Sequence, residues 1–329
     1  MAGHRVALVG ATGAVGAAFL EIIEHMEMPY ERLDLLASAR SAGKRLKVGD
    51  TELEVKALDD HDFSNNDVAF FSAGASVSDA FARKATSAGC TVVDNSSRFR
   101  MDADVPLVVP QINGRLLADL PKGSLIANPN CSTIQIVKAL EPIRRLFGHR
   151  STIVSTYQAA SGAGASAVRE MLAQSREEPL ATESRHFLKP LAYNVVPVID
   201  KLFDTGWTKE ELKITQETRK ILDDATIHIT ATTVRVPVVT GHSVAMYTHT
   251  ERPVDRDRLV AELQGNPEVV MCEDDAIPTP RFLEQREMTY VGRIRVDPDN
   301  PNGLWTWVVA DNLWVGAAYN GAQIAAAVM

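Results

Sequence analysis

The sequence contains few cysteines, and this scarcity excludes two classes of protein. Among 329 residues the cysteines are Cys90, Cys131 and Cys272, and they form neither a CxxC pair nor a cysteine–histidine cluster. An odd and sparse set of this kind does not fit a disulfide framework and offers no zinc site. It is typical of a reducing compartment, so the sequence predicts a cytoplasmic protein without a bound metal.

Long apolar runs and basic clusters are also missing. The apolar stretch VALVGATGAVGAAFL is too short and too interrupted by glycine to cross a membrane, and its glycines fall where a signal peptide needs an apolar centre. The net charge of −8 and the absence of a basic cluster argue against a nucleic-acid backbone as partner. Neither a membrane nor a nucleic acid is therefore expected to bind.

The first third of the sequence alternates short apolar runs with helical stretches. RVALVG, LDLLAS, DVAFFSAG and TVVDNS are typical of strands, and AVGAAFLEIIEHM and VSDAFARKATSAG of helices. Alternation of this kind gives a parallel sheet covered on both faces. The sequence therefore predicts a Rossmann-type α/β domain over residues 1–129.

The sequence pattern changes after the helical stretch that begins at Cys131. STIVSTYQAAS and the long run ATIHITATTVRVPVVTGHSVAMYTHT are rich in threonine and valine, as expected for half-buried strands of a mostly antiparallel sheet. We predict an α+β domain over residues 130–316. The final stretch GAAYNGAQIAAAVM is helical, and residues 317–329 are expected to pack back on the first domain.

A glycine-rich turn joins the first predicted strand to the first helix. Gly10, Gly13 and Gly16 have GxxGxxG spacing, which permits a tight turn and close approach of a dinucleotide pyrophosphate to the helix N-terminus. A glycine turn without a ligand is the alternative. The strand–loop–helix context favours a nucleotide.

The end of the second predicted strand bears on which nucleotide is bound. An NAD-selective site would place an acidic side chain there for the ribose 2′-hydroxyl. The sequence instead has Ser38, Arg40 and Ser41, with no carboxylate in the segment that follows Asp34. A cation and two hydroxyls suit a 2′-phosphate, so NADP is the predicted cofactor, although a merely polar loop would look similar.

Cys131 stands where an extended Asn-Pro-Asn segment ends and a helical pattern begins. Pro129 disfavours helix at the residue before it, and apolar residues then recur every three or four positions, at Ile136, Leu140, Ile143 and Phe147. The N–H groups and dipole of a helix N-terminus favour a thiolate, so Cys131 is a candidate nucleophile. A small buried core residue is the alternative.

A thiolate beside a nicotinamide cofactor suggests covalent capture of an aldehyde, followed by hydride transfer and release of the acyl group. Such chemistry needs an acid or base near the sulfur. His242, in RVPVVTGHS, is the strongest candidate of the eight histidines, since Pro237 and Gly241 interrupt the strand beside it. These breaks also permit, without requiring, a site shared with Arg235.

Eight segments in order along nearly the whole sequence resemble the aspartate-β-semialdehyde dehydrogenase family. They are GATGAVG, SARSAGK, VDNSSRFRMDADVPLVVPQIN, NPNCSTIQ, STYQAASGAGA, EELKITQETRKIL, RVPVVTGHS and NLWVGAAYNGAQIA. The resemblance implies that Cys131 is the nucleophile and His242 the acid–base group. It further implies that Gln158 orients the substrate, Arg235 pairs with its α-carboxylate and Glu210 with its ammonium.

The same resemblance implies a phosphate site formed by Arg100 and Lys213. It also implies a set of cofactor-binding residues: Gly10, Thr12, Gly13, Ala14, Val15, Ser38, Arg40, Ser41, Ser161, Gly162 and Asn320. The implied reaction is reversible reductive dephosphorylation of L-aspartyl-4-phosphate to L-aspartate 4-semialdehyde with NADPH. This step belongs to lysine, threonine and methionine biosynthesis, and such enzymes are homodimers or homotetramers.

Several alternatives stay open at this point. Glu210 and Lys213 are three residues apart on a predicted helix, where such pairs are often solvated salt bridges. The family often carries a basic residue where this sequence has Trp314. Other functions to weigh are N-acetyl-γ-glutamyl-phosphate reductase, another acyl-phosphate or acyl-thioester reductase, a non-catalytic dinucleotide-binding protein and a cysteine hydrolase.

Overall fold

The computed structural model describes residues 3–177, 182–273 and 275–329. The chain forms two compact units, the first made of Met1–Asn130 with Ala317–Met329 and the second of Cys131–Gly316. Each unit contains one sheet with helices, which confirms the predicted α/β class.

The elements are numbered along the chain. The strands are β1 (His4–Val9), β2 (Tyr30–Ala37), β3 (Arg45–Val48), β4 (Thr51–Ala57), β5 (Val68–Phe71), β6 (Thr91–Asp94), β7 (Leu125–Ala127), β8 (Ser151–Gln158), β9 (Ile229–Arg235), β10 (His242–His249), β11 (Val269–Cys272), β12 (Thr289–Asp297) and β13 (Asn300–Ala310). The α-helices are α1 (Ala14–His25), α2 (Ala75–Ser87), α3 (Pro110–Asn113), α4 (Cys131–Phe147), α5 (Ala165–Gln174), α6 (Lys209–Ile221), α7 (Arg256–Gln264) and α8 (Tyr319–Val328).

The sheet of the first unit has the strand order β3-β4-β2-β1-β5-β6-β7. Its neighbouring pairs are parallel except for β3 and β4. Strands β1, β5 and β6 have buried apolar centres, as expected of a parallel sheet that helices cover, and Leu8, Phe70 and Val93 are fully buried. The four strands predicted in this part of the sequence are confirmed.

The hairpin formed by β3 and β4 was not predicted. It lies at the edge of the sheet, where its side chains are mostly exposed, and it therefore lacks the apolar run that marked the other strands. The local signal that could have revealed it is the Gly49–Asp50 pair between the two strands, with Gly49 at φ +55°.

Helices α1 and α8 both pack in the first unit. Phe19 of α1 stacks on Phe70 of β5 with ring centroids 4.4 Å apart. Helix α8 contacts β5, β6 and α1, and a Cβ atom at Gly321 would collide with the ring of Phe70. Glycine at this position therefore lets α8 approach the sheet closely.

The sheet of the second unit has the strand order β11-β12-β13-β10-β8-β9. Three neighbouring pairs are antiparallel, as predicted for most of this sheet, whereas β11–β12 and β8–β9 are parallel. Helix α4 contacts β10, β12 and β13 and packs between α6 and α7. The helix predicted after Asn130 is confirmed, and its apolar face is buried.

The other face of this sheet carries apolar side chains exposed to solvent. Ile153 is 55% exposed, and Tyr157 and Trp305 are each 39% exposed. Tyr247 and Trp305 are opposite each other on β10 and β13, with ring centroids 5.1 Å apart. This outer face, formed by β8, β10 and β13, is a contiguous aromatic surface.

Strand pairing brings distant segments to one edge of the second sheet. Gln158 and Arg235 are paired at the carboxyl ends of the parallel strands β8 and β9. His242 begins β10 opposite Ala310, which ends β13. Because β10 runs antiparallel to β8 and β13, the end of β13 and the start of β10 lie at the same edge as Gln158 and Arg235.

Candidate active site

Cys131 is the first residue of the 17-residue helix α4 and is partly exposed. The N–H groups and dipole at this helix end stabilise a thiolate. A Cβ atom at Gly316 would lie 2.7 Å from the Cβ of Cys131. The segment that follows β13 therefore passes directly against the candidate nucleophile, and this contact leaves no room for a side chain at residue 316.

Arg235 places a buried positive charge in the second unit. Its Nη1 donates a hydrogen bond to the carbonyl of Ala159 at 2.7 Å. Burial lowers the pKa of Arg235, and the negative charges of Glu210 and Cys131 oppose that effect. A guanidinium still keeps its proton under any ordinary condition. Arg235 therefore lies within electrostatic range of both the candidate nucleophile and a carboxylate.

His242 is fully buried and held in one tautomer. The backbone N–H of Ala159 donates to Nδ1 at 3.0 Å, so the ring proton of the neutral imidazole is on Nε2. Nε2 has no hydrogen-bond partner among the described residues. Burial, and then the charge of Arg235, lower the pKa of His242 to about 3. The ring is therefore neutral near pH 7, with an available N–H donor.

Glu210, Gln158 and Lys213 form a buried polar chain. Gln158 donates from Nε2 to Glu210 at 3.1 Å, and Lys213 donates to Glu210 at 3.0 Å and to Asp200 at 2.8 Å. Burial disfavours the Lys213 ammonium, but the two carboxylates outweigh burial and raise the pKa of Lys213. Glu210 and Lys213 are thus an ion pair, and it is largely buried rather than solvated.

Ser161 and Gly162, both predicted to bind the cofactor, lie in a 3₁₀ helix at Ala160–Ala163. A Cβ atom at Gly162 would be 2.9 Å from Nη1 of Arg235 and 3.4 Å from Nε2 of His242. The hydroxyl of Ser161 donates to Oδ1 of Asn312 at 3.0 Å. The structure therefore brings this segment together with the histidine and arginine.

Asp311 and Asn312 lie at this edge but were not assigned from the sequence. The Asp311 carboxylate accepts the N–H groups of Leu313 and Trp314, at 2.8 and 3.1 Å, and a hydrogen bond from Arg286 at 2.8 Å. Aspartate commonly bonds to backbone N–H groups two or three residues ahead in turns. That local pattern in DNLW was the available signal for the turn, whereas the contacts of Asn312 depend on tertiary structure.

The sequence resemblance led us to expect a basic residue at the position of Trp314. Its ring is buried, and the guanidinium of Arg286 lies 4.6 Å from the ring centroid. Arg286 is therefore close to the position at which the basic residue of the family would stand.

In the first unit, the glycine turn forms the predicted strand–loop–helix arrangement. Gly10 has φ +90°, and a Cβ atom at Gly16 would collide with the carbonyl of Gly10. Gly13 caps α1 without a side-chain hydrogen bond, and Thr12 and Gly13 are exposed. Ala14 and Val15 form the first turn of the helix. A helix start of this kind, with no side-chain cap, is suited to binding an anionic group through its backbone N–H groups.

Ser38, Arg40 and Ser41 directly follow β2. Ser38 and Arg40 are exposed, whereas Ser41 is buried within a short 3₁₀ helix. Asp34, the preceding carboxylate, is instead buried within β2.

The side chain of Asp34 is fully engaged inside the protein. It accepts hydrogen bonds from Lys56 at 2.8 Å and Asn66 at 3.0 Å. Burial opposes ionisation of Asp34, but these hydrogen bonds outweigh it and hold its pKa below the ordinary value. The Asp34 carboxylate therefore belongs to a hydrogen-bond network inside the first unit.

Arg100 and Asn320 belong to one hydrogen-bond network of the first unit. Arg100 donates from Nε to the carbonyl of Asn128 and from Nη2 to that of Asn95, each at 2.9 Å. Asn320 donates from Nδ2 to Asn128 Oδ1 at 2.7 Å and to the carbonyl of Val108 at 2.9 Å. Its buried Oδ1 has no partner in the part of the chain that the structure describes, so an acceptor is available there.

Two further findings concern the described residues. No helix among them has the length and apolar character that a membrane span requires. Their histidine, cysteine and acidic side chains form no group of three or more arranged to hold a metal ion.

Comparison with known proteins identifies the class to which this architecture belongs. Residues 5–120 match the family model "Semialdehyde dehydrogenase, NAD binding domain", and residues 140–315 match "Semialdehyde dehydrogenase, dimerisation domain". The chain therefore combines a nicotinamide-dinucleotide-binding domain with a domain through which such enzymes oligomerise.

Individual relatives narrow this class. The chain is 45% identical to an aspartate-semialdehyde dehydrogenase of Aquifex aeolicus, with coverage of 98% of this chain and 97% of the relative. The corresponding protein of Bacillus subtilis is 43% identical, with coverage of 98% and 96%. A crystal structure of aspartate semialdehyde dehydrogenase II from Vibrio cholerae, complexed with ASA, superposes with a TM-score of 0.96 at 39% identity, covering 100% of this chain and 98% of that one.

The chain belongs to the aspartate-semialdehyde dehydrogenase family of oxidoreductases. The resemblance inferred from the eight sequence segments is thereby confirmed.

Proposed function

We propose that this protein catalyses the NADP-dependent reductive dephosphorylation of L-aspartyl-4-phosphate to L-aspartate 4-semialdehyde, through a thioester on Cys131. The proposal rests on the functional groups that the second unit brings together. A cysteine at a helix N-terminus, a neutral buried imidazole, a buried arginine and a buried carboxylate occur together there. These groups provide a nucleophile, a proton donor and recognition of an amino acid.

Cys131 is the nucleophile. Its thiolate attacks the acyl carbon of the substrate, the C–S bond forms, and the C–O bond to phosphate breaks with release of inorganic phosphate. The N-terminus of α4 and the charge of Arg235 stabilise the thiolate before attack. A bound nicotinamide dinucleotide would supply hydride to the thioester carbon in the reductive direction.

His242 donates and recovers a proton at Nε2. Its N–H stabilises the negative charge that develops on the substrate oxygen, since Nδ1 is already occupied by the N–H of Ala159. His242 then protonates that oxygen, and it takes the proton back when the C–S bond breaks and the aldehyde leaves. The imidazole therefore begins the reaction as an acid.

Three buried side chains would recognise the amino-acid part of the substrate. Arg235 would form a fork of hydrogen bonds with the α-carboxylate, and Glu210 would accept from the α-ammonium. Gln158 already donates to Glu210 and so lies in position to orient the substrate next to the thiol. The carboxylate of Glu210 distinguishes a free amine from an acylated one.

Arg100 and Lys213 would bind the phosphate group. Arg100 donates to two backbone carbonyls, each at 2.9 Å, which hold its guanidinium in place. The Lys213 ammonium is shared between Glu210 and Asp200, so phosphate binding would displace one of these partners.

Residues of the first unit would hold most of the cofactor, which makes residues 1–129 with the helix at 317–329 an NADP-binding domain. The loop over Gly10, Thr12, Gly13, Ala14 and Val15 would bind the pyrophosphate. The loop suits a pyrophosphate because the start of α1 is exposed and its N–H groups have no side-chain cap.

The two ends of the cofactor would meet different side chains. Ser38, Arg40 and Ser41 would bind the 2′-phosphate, supported by the engagement of Asp34 elsewhere. Asn320, through its available Oδ1, would accept from the carboxamide of the nicotinamide. Ser161 and Gly162 would lie along the same end of the cofactor.

The catalytic unit, residues 130–316, would also carry the subunit interface. The exposed apolar side chains on the aromatic outer face of its sheet are contiguous rather than scattered singly. Contiguous apolar surfaces mark protein interfaces. We infer a homodimer formed through this face, with a homotetramer as a possible assembly of dimers. The setting would be the cytoplasmic biosynthesis of lysine, threonine and methionine, including the diaminopimelate branch.

An absorbance assay at the nicotinamide band tests the proposal. The enzyme is mixed with phosphate, NADP or NAD, and either aspartate semialdehyde or the N-acetylated semialdehyde that an N-acetyl-γ-glutamyl-phosphate reductase would use. An acylated substrate loses the charge-assisted hydrogen bond between its ammonium and Glu210, which contributes about 1.5–3 kcal/mol, so kcat/KM should favour the free amine by about ten- to a hundredfold.

The variant Glu210→Gln should lose most of this preference while Cys131 and His242 remain intact. Equal turnover of both aldehydes by the parent enzyme would contradict the aspartate assignment and favour the acylated substrate. Absence of any dinucleotide reduction would instead favour a non-catalytic or hydrolytic function.

A further inference from the structure

Asn312 joins two loops at the edge of the second sheet. The residue is buried just after β13. Its Oδ1 accepts a hydrogen bond from the Ser161 hydroxyl at 3.0 Å and another from the backbone N–H of Gly241 at 2.8 Å. One amide oxygen therefore binds both the segment after β8 and the residue that precedes β10.

Both loops hold groups that the proposed mechanism uses. Ala159, two residues before Ser161, donates its N–H to His242 Nδ1 at 3.0 Å and accepts from Arg235 Nη1 at 2.7 Å. Gly241 directly precedes His242 and has φ +93°. A shift of either loop would therefore move the imidazole and, through Ala159, the guanidinium.

The segment that carries Asn312 is itself fixed. The Asp311 carboxylate accepts two N–H groups of the following turn, and the Asp311 carbonyl accepts the N–H of Gly316 at 3.1 Å. Gly316 in turn packs against Cys131. Residues 311–316 thus connect the surroundings of the thiol to those of the imidazole and the guanidinium.

We propose that Asn312 is a positioning residue, which keeps His242 and Arg235 in the geometry needed for proton transfer and substrate binding. The proposal rests on the proposed function, because it assigns Asn312 a role through those two side chains. An amide oxygen suits this position because its two lone pairs match the two donors, and a leucine of similar size would leave both donors unpaired.

Replacing the amide tests this role. Asn312→Ala should lower kcat/KM for aspartate semialdehyde by about 30- to 100-fold, since displacement of catalytic groups by about 1 Å has effects of this size. The solvent deuterium isotope effect on kcat should rise, because proton transfer by a displaced His242 becomes slower. Asn312→Asp retains the two acceptor positions and should recover at least about tenfold of the lost activity.

A matched control separates positioning from general destabilisation. Asn302 lies toward the opposite end of β13 and donates from Nδ2 to the carbonyl of Thr250 at 3.1 Å. Asn302→Ala also removes a side-chain amide hydrogen bond, yet it should leave kcat/KM and the isotope effect within about twofold of the parent. Thermal melting of each variant shows how much stability either change removes.

The outcomes are distinguishable. An inactive parent enzyme would contradict the proposed function. An active parent with unchanged kinetics in Asn312→Ala, or an equal loss in Asn302→Ala, would contradict only the role of Asn312. If Asn312→Ala does not fold, Ser161→Ala removes one of the two hydrogen bonds, and it should raise the isotope effect in the same direction; an unchanged isotope effect would overturn the proposal.

Discussion

The candidate cofactor site and the candidate active site are built in different ways. In the first unit, the proposed pyrophosphate-binding loop is one contiguous segment, residues 10–15, and its proposed donors are backbone N–H groups at the start of α1. In the second unit, the proposed functional side chains come from segments far apart in sequence: Cys131 is partly exposed, and Gln158, Glu210 and Arg235 are buried. Strand pairing alone brings Gln158 and Arg235 to the same sheet edge.

This difference determines which amino-acid substitutions would impair each site. A loop that binds through its backbone tolerates side-chain changes as long as its glycines remain, whereas a site of buried charges loses a partner with any single replacement. Substitutions of Cys131 or of the buried charged side chains in the second unit should therefore abolish chemistry while leaving dinucleotide binding intact. Substitutions in the first unit should change cofactor choice while leaving the thiol reactive.

The largest effect is expected at the nucleophile. Cys131→Ala removes the sulfur that would carry the thioester, and turnover should fall by at least about 10³-fold, as for other enzymes stripped of a covalent nucleophile. NADPH affinity, measured by fluorescence titration, should stay near the parental value. Alkylation by iodoacetamide should label Cys131 ahead of the buried Cys90 and Cys272. Substantial turnover by the alanine variant would contradict covalent catalysis.

The contact between Gly316 and Cys131 should have the next largest effect. Because a Cβ atom at residue 316 would lie 2.7 Å from that of Cys131, Gly316→Ala must displace the thiol or the loop. We expect kcat to fall by about 100-fold. Gly265→Ala is the control. Gly265 has φ −76°, and a Cβ atom there would lie 3.5 Å from its nearest neighbour, the carbonyl oxygen of Ala261, which is an ordinary contact. Similar kinetics in both variants would show that the close contact has no functional consequence.

In the first unit, Arg40→Ala should alter cofactor choice. A charge-assisted hydrogen bond to a 2′-phosphate contributes roughly 1.5–3 kcal/mol, which is about ten- to a hundredfold in affinity. Binding of NADP should weaken by this factor, whereas binding of NAD, which lacks the phosphate, should change little. Calorimetric titration with both dinucleotides measures the ratio, and an equal loss for both would show that Arg40 does not recognise the phosphate.

The smallest effect concerns stability at acidic pH. The pKa of His242 is about 3 in the folded chain, so between that value and the unfolded value near 6.5 only the unfolded state binds the proton. His242 therefore contributes stability that is present above pH 6.5 and decreases as the pH falls toward 3. From pH 7 to 5.5 the parent should lose about 1 kcal/mol more unfolding free energy than His242→Asn, measured by urea denaturation. Identical losses would show that the imidazole is not held neutral.

The two units also differed in how much the sequence alone could predict. The glycine loop, the strand–helix alternation and the helix that begins at Cys131 are local patterns, and each was found where predicted. The β3–β4 hairpin was not predicted because its strands are short and exposed. The confirmed elements are those whose burial imposes an apolar pattern on neighbouring residues.

The arrangement of the active-site edge was beyond local reasoning. On one continuous strand Arg235 and His242 would face opposite ways, but they end and begin separate strands on either side of β8. That proximity follows from strand order, which periodicity does not encode. Asn312 was missed for the same reason, because both of its donors are distant in sequence, at Ser161 and Gly241.

The position of α8 has a consequence for folding during synthesis. The helix packs on β5 and β6, yet the ribosome must first produce the entire second unit, Cys131–Gly316, which lies between them in sequence. The second unit is continuous and has its whole sheet before α8 emerges, so it is free to fold while the first is still incomplete. Until then the ring of Phe70 remains uncovered on the side that Gly321 later contacts, and the nascent first unit is a natural client for chaperones.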